Sequence, residues 1–237
     1  MFDYGKYYAQ LLMMSSRFEI AWALLRDKGA LGRHLDDGFV MHSIEEDDEL
    51  LTTPFEMVDK SKREGYLSLY HRDLEAVSDH YANMVLVTAY TYLEEYVSTL
   101  FYEAFLLKPE SMIEYMDGDA KGGLVSLKEI LAFDKQELLS KLARTYSAKA
   151  CSGNIEKVCE RIKKRTKHEI PKDLQVKLVA LQNDRNEIVH EAKIKSIDVE
   201  YVMRSIDSVE ALLKCVARAA SKIGVKVSIP FQDSLAD

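Results

Sequence analysis

Residues 73–107 read DLEAVSDHYANMVLVTAYTYLEEYVSTLFYEAFLL, and they set the fold class. The apolar side chains Val85, Ala89, Tyr92, Leu93, Tyr96, Val97, Leu100, Phe101, Ala104 and Phe105 recur at spacings of three and four. That period places them on one broad face of a helix, so this segment predicts a long core helix. Lys108 and Pro109 end it, because proline cannot continue the helical hydrogen-bond ladder. Tyr90 and Tyr102 lie off the main stripe and are kept as candidates for base stacking.

Outward from this helix the pattern stays helical. Residues 3–28 predict a helix ended by Gly29 and Gly32. Residues 29–53 read as a loop that holds the acidic run Glu45-Glu46-Asp47-Asp48-Glu49, with a short helix after Pro54. Residues 117–123 (DGDAKGG) read as a loop, and shorter helices are expected over 126–147 and 153–167. The next helix starts at Pro171-Lys172-Asp173, with Asp173 as its cap, and runs to about 193. A last helix over 197–223 takes Ser196 as cap and Gly224 as stop. Strand-like alternation is confined to residues 225–229 (VKVSI), and the tail after Pro230 is expected to fray. The chain is therefore expected to be all-α. A helical core over 73–223 carries a helical N-terminal appendage, 1–72, and a tail, 224–237.

The 237 residues are enough to bury a core without disulfides. The three cysteines, Cys151, Cys159 and Cys215, form no CxxC pair and read as free thiols of a reducing compartment. No stretch reaches the roughly 18 uninterrupted apolar residues of a membrane span. The N-terminus lacks the basic-then-apolar pattern of a signal peptide, so a cytoplasmic protein with no membrane partner is expected.

Net charge is −7, but it is unevenly spread. Residues 1–134 hold 12 Lys/Arg against 25 Asp/Glu, whereas residues 135–177 hold 12 against 5. The centre of that basic segment, Lys157, Arg161, Lys163, Lys164, Arg165 and Lys167, is a candidate for holding a polyanion such as RNA. A solvated basic helix face is the plain alternative.

Chemistry concentrates in Arg185-Asn186-Glu187-Ile188-Val189-His190. With Arg185 at 0° and 100° per residue, Leu174, Leu178, Leu181, Ile188 and Ala192 fall within about 60° of it. Arg185 thus occupies a place on the apolar stripe where a leucine belongs, and a charge there is costly unless paired or wetted. His190 lies about 140° from Arg185, so one ideal helix does not aim both at a point. The long arginine, a helix end near the histidine, or two copies of the motif across a dimer seam would each bring them together. At this composition Arg-x-x-x-x-His is expected about 0.3 times by chance, and about 0.005 times with Asn after the Arg.

Leu181 to His190 (LQNDRNEIVH) resembles the R-N-x-x-x-H signature of HEPN domains, and Ala89 to Val97 (AYTYLEEYV) looks like the earlier HEPN core helix. The resemblance covers about 73–223. It implies an antiparallel HEPN-like bundle of four to five helices that dimerises to build a composite site. It further implies metal-independent and cofactor-independent RNA cleavage leaving a 2′,3′-cyclic phosphate and a 5′-hydroxyl, as in bacterial toxins and antiviral-defence effectors restrained by an antitoxin or regulatory protein. In that setting His190 moves the proton. Arg185 stabilises the phosphorane charge, and Asn186 orients its neighbours. Glu94 on the core helix, or failing it Glu95, holds Arg185. A non-catalytic HEPN-like module that binds RNA, a nucleotide or a protein is the alternative. The bland reading of the same residues is an Arg185–Glu94 salt bridge and a satisfied surface histidine.

Other patterns are weaker. His71-Arg72-Asp73-Leu74 echoes a kinase catalytic loop but has Ser78 where that loop needs Asn, and no Gly-rich phosphate loop accompanies it. The acidic run 45–49 lacks the alternating ligands and turn glycine of a calcium loop. The histidines have no zinc-ligand spacing, so no metal is expected.

Overall fold

The computed structural model describes residues 1–44, 50–115 and 133–228. The described chain is predominantly helical, and none of its helices is long and apolar enough to cross a membrane. The long core helix is longer than its apolar period suggested. Helix α3 spans Lys60–Leu107, capped by Asp59, whose carboxylate accepts from Ser61 N at 2.9 Å. At 1.5 Å per residue its 48 residues reach about 72 Å. Its buried residues begin at Ser78, and from Ala82 to Phe105 they cover roughly 200° of the circumference.

Four helices cover that surface. They are α1 (Tyr4–Leu25), α4 (Lys135–Cys151), α6 (Lys172–His190) and α7 (Val199–Lys222), with α5 (Ile155–Thr166) closing one end. Helix α1 runs antiparallel to α3, because Tyr7 meets Tyr96 while Phe18 meets Tyr81. Helices α6 and α7 form an antiparallel hairpin, because Pro171 lies beside Arg218 and Asp184 beside Tyr201. Phe2, Tyr7, Leu11, Phe18 and Trp22 belong to the same hydrophobic cluster as Leu93, Leu178 and Val209. Helix α3 runs unbroken through residues 72 and 73, where the sequence suggested a division.

The stretch 29–53, expected as a loop, is structured where it is described. Asp27 accepts from Gly29 N and Ala30 N and starts α2 (Lys28–Gly38), so the two glycines expected to end α1 lie inside a new helix. An antiparallel hairpin follows, β2 (Val40–Ile44) with β3 (Leu50–Pro54), and after Pro54 comes one 3₁₀ turn, Phe55–Met57. A small aromatic group, Phe39, Phe55, Tyr66 and Tyr70, and the Arg63–Asp36 ion pair fasten this unit to the first turns of α3. The acidic run 45–49 and the loop 117–123 lie outside the described residues.

Several caps differ from expectation. Helix α4 is described from Lys135, with a reciprocal Asp134–Glu137 capping box, and residues 126–132 of the expected helix lie outside the described part. Asn154 caps α5, and Asp198, not Ser196, caps α7. Asp173 lies within the first turn of α6 after Pro171, where a carboxylate favours the helix dipole without capping it. Gly224, at φ +84, stops α7 and turns the chain back. Val225 is buried, and β4 (Val227–Ser228) pairs in parallel with β1 (Phe2–Asp3). The segment 225–228 is thus joined to the start of the chain, and the residues after Pro230 lie outside the described part.

The link between α6 and α7 is pinned to α3 by a buried asparagine. Asn83 donates to Lys195 O at 2.7 Å and to Asp79 O at 2.6 Å, and accepts from Lys195 N at 3.2 Å. Removing it leaves Lys195 N and O without this partner. Asn83→Ala is expected to lower unfolding stability by about 1–3 kcal/mol, read as a lower urea midpoint at unchanged slope.

Candidate functional site

Leu174, Leu178 and Leu181 bury one stripe of α6 in the core, and Arg185 continues that stripe half-buried. Its guanidinium carbon sits 5.7 Å from the centroid of the Tyr90 ring on α3. Nη1 donates to Asn186 Oδ1 at 3.2 Å and to His190 Nε2 at 3.2 Å, while Nε is buried without a hydrogen-bond partner among the described residues. Among the described residues no carboxylate lies within ion-pair distance of Arg185. The cation is held by an aromatic face, an amide oxygen and an imidazole nitrogen, all neutral acceptors.

The 140° separation closes because the arginine is long enough to sweep along the helix surface to the histidine, the last residue of the helix. Glu191 is the C-terminal cap, and Ala192 takes the left-handed φ of +51. The sequence had carried this helix to about 193. One chain thus brings Arg185, Asn186 and His190 together. Since arginine carries only donors, His190 Nε2 is the acceptor here, which puts the proton of this neutral ring on Nδ1.

Neighbouring acids are kept away from Arg185 by other cations. Asp184 accepts from Tyr201 Oη and Lys195 Nζ, and Glu187 lies 3.3 Å from Lys195 Nζ. Glu191 lies 2.6 Å from Lys193 Nζ. The hydrogen bond to Asp184 raises the Lys195 pKa above its ordinary value. Burial, with Asp184 adding to it, raises that of Tyr201. On the other side, Gln182 staples α6 to the α4–α5 corner, accepting from Ile155 N at 2.9 Å and donating to Gly153 O at 3.1 Å.

Glu94 does not take the place expected of it. It is exposed one turn along α3 from Tyr90, and the Tyr90 ring, not a carboxylate, meets the guanidinium. Glu95 lies 3.7 Å from Lys6 instead. Tyr90 is buried, unlike the stacking platform considered for it, and burial, with Glu94 adding to it, pushes its pKa up to about 12. Its phenol is therefore neutral near neutral pH. The salt bridge of the bland reading is absent among the described residues.

The six candidate RNA-binding cations are largely engaged elsewhere. Arg161 donates to Ala150 O and Ser152 O, closing the end of α4, and Arg165 donates to Ala104 O near the end of α3. Lys163 pairs with Glu169 at 2.8 Å and Lys164 with Glu114 at 3.0 Å. Lys157 and Lys167 have no ion pair among the described residues. Two of the six, Arg161 and Arg165, thus serve carbonyls near helix ends and two pair with carboxylates, roles that linear charge counting does not show. The cysteines are free, and burial pushes Cys151 up to about 12 and Cys159 up to about 11, so neither is a ready thiolate.

No protein-family model, curated protein or solved structure matches this chain.

The contact that sequence reasoning missed is Tyr90 with Arg185. Its one signal was the tyrosine's place on α3 off the main apolar stripe. Tyr90→Phe is expected to preserve the ring contact, and Tyr90→Leu to remove it at about 0.5–2 kcal/mol. The check is the nuclear magnetic resonance of the Arg185 side chain, whose ring-current shift should persist in the Phe variant and vanish in the Leu variant.

Proposed function

We propose that the protein is a metal-independent endoribonuclease of the HEPN kind that its motif resembles. The observation that carries this reading is the half-buried Arg185 guanidinium, with no carboxylate partner among the described residues and hydrogen-bonded at 3.2 Å to His190 Nε2. An unneutralised arginine fork beside a neutral imidazole has the parts needed for phosphodiester transesterification. An incoming phosphate replaces Asn186 and His190 as the acceptor for Arg185. That exchange frees Nε2 to take the proton from the 2′-hydroxyl, whose oxygen attacks the adjacent phosphorus. The P–O5′ bond breaks, the guanidinium offsets the charge of the phosphorane, and a proton from imidazolium reaches the departing 5′-oxygen. The products are a 2′,3′-cyclic phosphate and a 5′-hydroxyl. The nucleophile is the RNA's own 2′-hydroxyl, so no activated water is required.

In this reading the enzyme acts as a homodimer on cytosolic RNA, as a toxin or antiviral-defence effector held in check by a regulatory partner. Exposed Val189, next to His190 in the chain, and exposed Ile194 four residues on support a partner surface at the motif. The test is digestion of a mixed cellular RNA pool in excess EDTA. Wild-type protein is expected to leave cyclic-phosphate ends, and Arg185→Ala and His190→Ala are each expected to lose at least about 10²-fold in rate with helical content unchanged. RNA retention without cleavage by the wild type would instead support a binding module built on the same residues.

A further inference from the structure

A second charged site lies at the other end of the α6–α7 hairpin. A groove of about 680 Å³ opens between the start of α1, the end of α7 and β4. Tyr4, Val225 and Val227 supply apolar and aromatic wall, and Lys214, Arg218 and Lys226 supply charge. No carboxylate lines it among the described residues. The Lys214 charge is offset by an ion pair with Glu210. Arg218 and Lys226 make no ion pair among the described residues, although Arg218 also lines the neighbouring cleft that holds Asp173 and Asp207. The field of this end is felt nearby: after burial, Lys222 and Arg218 are what lower the pKa of His168. The wall is held by the β1–β4 pairing, in which Ser228 Oγ donates to Asp3 Oδ1 at 2.7 Å.

We infer that this groove binds a nucleotide through its terminal phosphate, with the base against Tyr4 and the valines. A phosphate monoester carries a charge of about −1.5 to −2 at neutral pH, which matches the two open cations. The Arg218 fork suits its oxygens, and the volume lies within the usual range for small-ligand sites. The ligand is a free nucleoside monophosphate or the phosphorylated end of an RNA strand, since both present the same group. The site is separate from the motif: Pro171 and Asp173 share a cleft with Lys214 and Arg218, whereas His190 lies at the far end of α6, roughly 25 Å away.

The experiment is titration calorimetry on the full chain with adenosine 5′-monophosphate, adenosine, and short 2′-O-methyl RNA with and without a 5′-phosphate, which cannot be cut by 2′-hydroxyl attack. Saturable binding of the monophosphate or of the phosphorylated strand is expected, at least about tenfold tighter than its unphosphorylated counterpart. The double variant Arg218→Gln/Lys226→Gln, both residues exposed, is expected to lose about tenfold or more with helical content unchanged. In Arg185→Ala/His190→Ala the preference for each phosphorylated probe over its unphosphorylated counterpart is expected to persist. Tighter binding of the phosphorylated strand than of the free monophosphate identifies a strand end as the ligand, and the reverse order a free nucleotide. Equal affinity with and without phosphate, no saturable binding of either phosphorylated probe, or loss of the phosphate preference in the motif variant but not at Arg218 and Lys226 would overturn the proposal.

Discussion

The architecture depends on burying α3. From Ala82 to Phe105 its apolar side chains occupy roughly 200° of the helix surface, more than one partner helix can cover. Helices α1, α4, α6 and α7 are therefore all drawn against it. That requirement brings the first residues of the chain into the same hydrophobic cluster as the last helix, and β1–β4 ties the two chain segments together. The same packing lays α6 across Tyr90 and so places Arg185 over an aromatic ring.

Charge pairing around the motif is selective. Asp184, Glu187 and Glu191 are adjacent to Arg185 or within about two turns of it, yet their cations are Lys195 and Lys193. Tyr201 and the Asn83 clamp hold Lys195 in that arrangement. A cation whose nearest acids are engaged elsewhere keeps its charge available, whereas an Arg185–Glu94 bridge would have spent it on holding two helices together. The ring of Tyr90 allows the guanidinium to be half-buried without neutralising it.

The basic segment shows how linear charge and surface charge diverge. Arg161 and Arg165 belong to the most cationic run of the sequence, but they turn to carbonyls at the ends of α4 and α3. The open cations Arg218 and Lys226 come from a part of the chain where charges balance. They are brought together when Gly224 reverses the backbone and β4 returns alongside β1.

The helical class, the dominance of the 73–107 segment and the anomaly of Arg185 on an apolar stripe were all legible in the sequence, because a 3.6-residue period is a local property of neighbouring side chains. Helix ends were less legible. Asp27, Asp134 and Asp198 compete with nearby polar residues as caps, and only the path of the chain selects among them. The structure of residues 29–44 and 50–53 was hidden because its hydrophobic partners, Tyr66 and Tyr70, lie further along the chain on α3. Arg185, Asn186 and His190 could be singled out by type and spacing. Their convergence could not, since it depends on the path the long Arg185 side chain takes over Tyr90 to His190. Tertiary structure also decided that Glu94 stands clear of Arg185, because which side chain faces another across two packed helices is set by their register, and that register is fixed by the whole core.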